Sequence, residues 1–138
     1  MPSDFVALLA LIFLAFPMAC FFLSSPAFLL VGLEIPEVTQ LLRGMINGYF
    51  LAIGIAGAIA MAMLGMSGRP VFASGAIVIA GCAIVVRRRL LLRLDTELLA
   101  RDGGSASAVG RLRGLHVQCM LINAIQFAIV VACVPRLV

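Results

Sequence analysis

Apolar residues along this chain come in long unbroken runs. They show neither the alternation of a half-buried strand nor the narrow stripe of a surface helix. Four runs stand out, and they predict helices long enough to cross a bilayer at about 5–33, 38–66, 71–87 and 113–134. Short polar breaks separate the first three. Glu34-Ile35-Pro36-Glu37 reads as a turn whose Pro36 and Glu37 suit a first helical turn. Ser67-Gly68-Arg69-Pro70 is the plainest break in the chain. Links this short make the first three helices antiparallel neighbours. Inside the first run, Pro17 predicts a kink, and Ser24-Ser25-Pro26 a second bend or an unwound turn. That run is too long, and too poor in basic residues at its start, for a cleaved signal peptide, so it is expected to be retained.

The third helix is expected to outlast its apolar run. From Arg87 to Asp102 helical periodicity continues in polar form: Leu91, Leu94 and Leu98 share one face, and Arg93, Glu97 and Arg101 another at i, i+4 spacing. Gly103-Gly104 ends this helix, and Ser105 or Ser107 caps the next. The expected fold is all-α: a single domain over 1–138, an integral membrane four-helix bundle with a cytoplasmic helical extension of the third helix.

Composition narrows the class. The chain is 64% hydrophobic and 12% charged, with mean hydropathy +1.21. A soluble domain is about 45–50% apolar and about 25% charged. A soluble globule, a disordered chain and a disulfide scaffold are therefore excluded. All ten basic residues are arginines, and seven of them lie between Arg87 and Arg113. With four spans, Arg69 and Arg136 fall on one side. Arg43, Arg87, Arg88, Arg89, Arg93, Arg101, Arg111 and Arg113 fall on the other. The positive-inside rule then places the arginine-rich loop in the cytoplasm and both termini outside, as in a bacterial inner membrane. No aromatic residues interleave these arginines, so no nucleic-acid partner is expected. An arginine triplet beside a bilayer also suits anionic headgroups.

The second helix is rich in small residues. Gly44 and Gly48 form a GxxxG pair, and Gly57 is read as roughly continuing their face. This pattern implies either close packing within the bundle or a seam between copies. The four cysteines, Cys20, Cys82, Cys119 and Cys133, show no CxxC spacing and are read as reduced packing residues.

The last helix carries the most informative stretch. His116, Cys119, Met120, Asn123 and Phe127 recur at 0, 3, 4, 7 and 11, which is one helical stripe. His116, the only histidine, with Cys119 three residues on could ligate a soft metal. Equally, His116 could bond a backbone group or an acid of the Glu34–Glu37 turn, with Asn123 as interhelical glue. Arg43 and Asn47, one turn apart on the second helix, are expected to meet His116 and Asn123 in one ligand-binding polar pocket. Tyr49 is read as glue or as an interface anchor. No catalytic motif and no in-membrane carboxylate is present, and no cofactor is expected.

Several of these segments resemble the transmembrane protein 205-like family of small four-helix membrane proteins. The resemblance is carried by Ser25-Pro26-Ala27-Phe28 at the end of the first span, and by Glu37, Arg43 and Tyr49-Phe50 in the second. In the last span it is carried by Arg111 to His116, followed by Leu121-Ile122-Asn123. In place of a Pro-Arg-like element after the third span this chain has Arg87-Arg88-Arg89. The resemblance implies the four-span architecture and brings no agreed activity. The expected function is a non-enzymatic multi-pass membrane protein, either free-standing or an accessory or structural subunit of a larger membrane complex, with the lipid bilayer and either other membrane subunits or a homo-oligomer as partners. The alternative is a small transporter or binder of a metal or a lipophilic ligand. A cofactor-dependent oxidoreductase is a weaker third reading, since one histidine cannot hold haem from both faces.

Overall fold

A computed structural model describes residues 2–136, and among these residues every regular element is helical. Helix α1 spans Pro2–Ser24, α2 is one turn at Ala27–Leu30, α3 spans Pro36–Met66, α4 Pro70–Asp102 and α5 Ala108–Cys133, with a terminal 3-10 turn at Val134–Arg136. Among the described residues four helical stretches are long and apolar enough to cross a membrane. Around the bundle the order is α1, α3, α4, α5, each packing on the next and α5 closing back onto α1. Asp4 pairs with Arg69, and Ser24 meets Met45 3.7 Å away. The start of α1 and the α3–α4 link therefore share one end. The α2–α3 link and the α4–α5 loop form the other, arginine-rich end.

The breaks fall where the punctuation placed them. Pro17 sits inside a helix that continues past it to Ser24. At Ser25-Pro26 the α pattern gives way: Phe28 N–H donates to Ser25 O and Leu29 N–H to Pro26 O, three residues back instead of four. Pro36 opens α3 and Pro70 opens α4. Gly68 and Gly104 supply the positive φ angles (70° and 89°) that let the chain turn out of α3 and α4. Ser107 takes the N-cap position of α5 without a capping bond. Its hydroxyl instead accepts from Arg111 Nη1 at 2.6 Å.

Each long helix buries one stripe. On α1 it includes Ala7, Ala10, Leu14, Met18 and Phe21; on α3 Leu42, Ile46, Ile53, Ala60 and Leu64; on α5 Leu112, His116, Cys119, Asn123 and Val130. Outward faces are apolar too: Phe16, Leu30, Met66 and Val71 are all largely exposed. Such a surface would be a liability in water. Two of the cysteines follow it outward, for Cys20 and Cys82 are exposed while Cys119 is buried. They are not core packing residues.

Two expectations about α3 and α4 change. The helical extension exists, since α4 runs unbroken to Asp102, but it does not stand free. Arg43 meets Asp95 and Thr39 meets Arg101, so the first turns of α3 accompany it to its end. The charge pairs expected along α4 itself are replaced by bonds to other elements. Glu97 pairs with Arg111 of α5, and Arg101 binds Thr39 and Leu33 O, keeping within α4 only its pair with the adjacent Asp102.

The small-residue contact also moves. A Cβ built at Gly44 or Gly48 meets nothing within 4 Å, whereas one at Gly57 would lie 2.8 Å from Ala80 Cβ and 3.2 Å from Ala76 O. Helices α3 and α4 therefore close on Gly57, not on the GxxxG pair. At 3.6 residues per turn, the nine residues from Gly48 to Gly57 make two and a half turns. That places the two glycines on opposite faces.

Candidate functional site

Ser25, His116, Asn123 and Tyr49 form one short column inside the bundle, while Thr39, also buried, bonds Arg101 at the arginine-rich end. His116 and Asn123 are both fully buried, as the cost of unsatisfied polar groups in an apolar interior requires. Asn123 Nδ2 donates to Met18 O at 3.2 Å, and its Oδ1 accepts from the Tyr49 hydroxyl at 2.8 Å. Tyr49 is on α3 and Asn123 on α5, so this bond crosses the diagonal of the bundle and ties together helices that are not ring neighbours. The Tyr49 ring stacks on Phe21 with centroids 4.2 Å apart, which holds the hydroxyl on target.

Two turns along α5, His116 Nε2 lies 2.9 Å from Ser25 O and 3.2 Å from Ser25 Oγ. A carbonyl only accepts, so Nε2 carries the proton and donates. The break at Ser25-Pro26 exposes this carbonyl for a partner outside its own helix. Phe28 meets the imidazole edge-on at 5.9 Å. Nδ1 then carries the lone pair of the neutral ring, and it is the one buried side-chain polar atom without a partner among the described residues.

The single pocket expected from Arg43, Asn47, His116 and Asn123 is not formed. Arg43 makes a two-pronged bond to Asp95, with Nε–Oδ1 at 2.6 Å and Nη2–Oδ2 at 2.9 Å. Asn47 Oδ1 accepts from Arg87 Nε at 2.9 Å. Arg43 and Asn47 thus form a seam along α4, while Tyr49 joins the column. Helical geometry is the reason: Asn47 and Tyr49 are two residues, and so about 200°, apart around α3. The metal reading of His116 and Cys119 finds no third ligand. Among the described residues no group of three or more His, Cys, Asp or Glu side chains converges.

Sequence reasoning missed Ser25, Met18 O, Asp95 and Arg87 as partners. Ser25 alone carried a usable signal, because a helix broken before proline leaves acceptors exposed. The others are met through α1 and α4, whose rotation about their own axes local sequence does not reveal.

A concavity lies on the outer surface between α1 and α3. This apolar groove of about 540 Å³ is walled by Phe13, Phe16, Pro17 and Cys20 on α1 and floored by Gly48, Ala52 and Ala56 on α3. Gly44 and Gly48 face outward beside it, with open space where a Cβ would stand. Comparison of the chain with protein-family models, curated proteins and solved structures gives no match.

Proposed function

We propose that this chain is a non-enzymatic, four-span membrane protein that serves as an accessory subunit. Its α1–α3 groove receives a transmembrane helix of another membrane protein. The observation that carries this reading is the pair Gly44 and Gly48, exposed on α3 and packed against nothing in their own chain. A mid-helix glycine costs about 1 kcal/mol relative to alanine, and in lipid the usual compensation is close approach of another helix. From Met45 to Ile59 the groove's α3 wall runs about 21 Å at 1.5 Å per residue, most of a hydrocarbon core. Its concave shape suits a single foreign helix better than a second copy of the same concave face.

The polar column supports a structural interior. Its donors and acceptors are spent on each other, apart from Nδ1 of His116, so a ligand pocket shared by the second and fourth spans is not supported. The proposed orientation puts both termini outside and the arginine-rich end in the cytoplasm of a bacterial inner membrane. It rests on the two-against-eight arginine count. The kinship with the transmembrane protein 205-like family belongs to the same proposal and rests on the short segments quoted above.

The test is native mass spectrometry of the wild-type chain and Gly48→Leu, each extracted from host membranes in mild detergent. The expected result is a stoichiometric complex of the wild-type chain with one other membrane protein. Gly48→Leu should lose that complex while its own thermal stability stays unchanged. A wild-type monomer, a species of twice the chain's mass, a bound lipophilic small molecule in place of a protein, or an intact complex in Gly48→Leu would each overturn the proposal.

A further inference from the structure

At the arginine-rich end the cations outnumber the acids, and they are unevenly matched. Asp95 is taken by Arg43, Glu97 by Arg111 and Asp102 by Arg101. Arg87 bonds the neutral Asn47. Among the described residues Arg88, Arg89, Arg93 and Arg113 have no hydrogen-bond or ion-pair partner in the fold. The remaining acids of this end, Glu34 and Glu37, sit at the α2–α3 link. The excess positive charge is thus concentrated on α4 and the start of α5.

A groove of about 500 Å³ opens between those two helices. Arg93 and Arg111 stand in its wall with Thr96, Gln118 and Glu97, whose carboxylate is paired with Arg111, and Leu92 and Leu115 line it with apolar surface. Gly114 is part of the lining, and a Cβ built there meets nothing within 4 Å, so the recess stays open. Leu92 is largely exposed beside Arg93. The Thr96 hydroxyl is spent on Leu92 O, so the cleft presents guanidinium donors next to an apolar strip. That combination fits a phosphate with a hydrocarbon tail, and basic clefts between membrane helices bind such headgroups. Guanidinium is the donor best shaped for phosphate oxygens.

We propose that the α4–α5 groove is a binding site for the headgroup of an anionic phospholipid. Arg93 is its free cation, and Arg111, already held by Glu97 and Ser107, is a second, fixed one. Leu92 and Leu115 carry the first part of the acyl chains. This rests on the membrane reading above, for a lipid reaches the cleft only from a bilayer. It does not depend on the α1–α3 groove or its occupant.

The experiment uses the full chain in mild detergent and titrates its thermal stability with three probes: short-chain phosphatidylglycerol, short-chain phosphatidylcholine and inorganic phosphate. The expected result is saturable stabilisation by phosphatidylglycerol and little by the other two. Arg93→Gln removes a charge-assisted bond and should weaken the phosphatidylglycerol midpoint about tenfold. Gly114→Leu should fill the recess and abolish saturation without lowering the melting temperature of the lipid-free protein. Arg113→Gln makes the same charge change outside the groove lining and should leave the midpoint unchanged. Equal loss in Arg113→Gln and Arg93→Gln would show diffuse surface charge and overturn the site. Equal stabilisation by phosphatidylcholine would overturn the charge selection. Matching stabilisation by inorganic phosphate would overturn a lipid as the source of the anion. Recovery of the chain in the soluble fraction of host cells would overturn the membrane reading itself, a result separate from all of these.

Discussion

Replacing Gly57 with alanine adds one methyl group at the tightest point between α3 and α4. That methyl would sit 2.8 Å from Ala80 Cβ, 3.2 Å from Ala76 O and 3.4 Å from Ala80 Cα. Carbon pairs are most favourable at about 3.5–4.0 Å, so the helices must part by roughly 1 Å. The atoms in the way are backbone or directly attached to it, so rotamer changes cannot relieve them. Overpacking of this kind costs about 1–3 kcal/mol. Alanine returns about 1 kcal/mol of helix propensity over glycine. The two together leave a net loss of up to about 2 kcal/mol for Gly57→Ala, in the upper half of that range because the separation spreads along a long helix pair. Gly48→Ala, which meets open space, keeps the propensity gain and should be neutral to about 1 kcal/mol more stable. The assay is equilibrium unfolding in mixed detergent micelles with increasing dodecyl sulfate, followed by circular dichroism. Ala80→Gly in the Gly57→Ala background removes the nearest obstructing atom and should restore part of the loss, a coupling that additive effects would not give. Gly57→Ala matching or exceeding the wild-type stability, or Gly48→Ala losing as much as Gly57→Ala, would refute the placement of the α3–α4 contact.

The diagonal bond between Tyr49 and Asn123 should appear in a double-mutant cycle of Tyr49→Phe and Asn123→Ala as a coupling of about 0.6–2 kcal/mol in the same unfolding assay, and additive effects would mean the bond contributes nothing. For orientation, a tag inserted between Gly103 and Gly104 should be modified only by cytoplasmic reagents. A reporter fused after Val138 should be active only outside, and the opposite pattern would sink the arginine count.

Much of the architecture was legible along the chain because it depends on local chemistry. Runs of apolar residues set helix length, Pro36 and Pro70 open helices where a missing N–H costs nothing, and Gly68 and Gly104 turn the chain where other residues would be strained. The stripe from His116 to Phe127 likewise identified the buried polar face of α5, since a polar group facing lipid in mid-span is costly and His116 and Asn123 turn inward. What each of these residues touches was decided by the fold. Gly44, Gly48 and Gly57 look alike in sequence, yet only Gly57 meets a neighbour. Arg43, Asn47 and Tyr49 lie within two turns, yet the first two face α4 and the third faces the centre. In a soluble protein water on one side would have revealed the rotation of each helix. In this chain apolar residues cover both the packed and the outward faces. The contrast that fixes rotation is therefore missing from the sequence, and it is supplied by packing and by the pairing of a few buried polar groups.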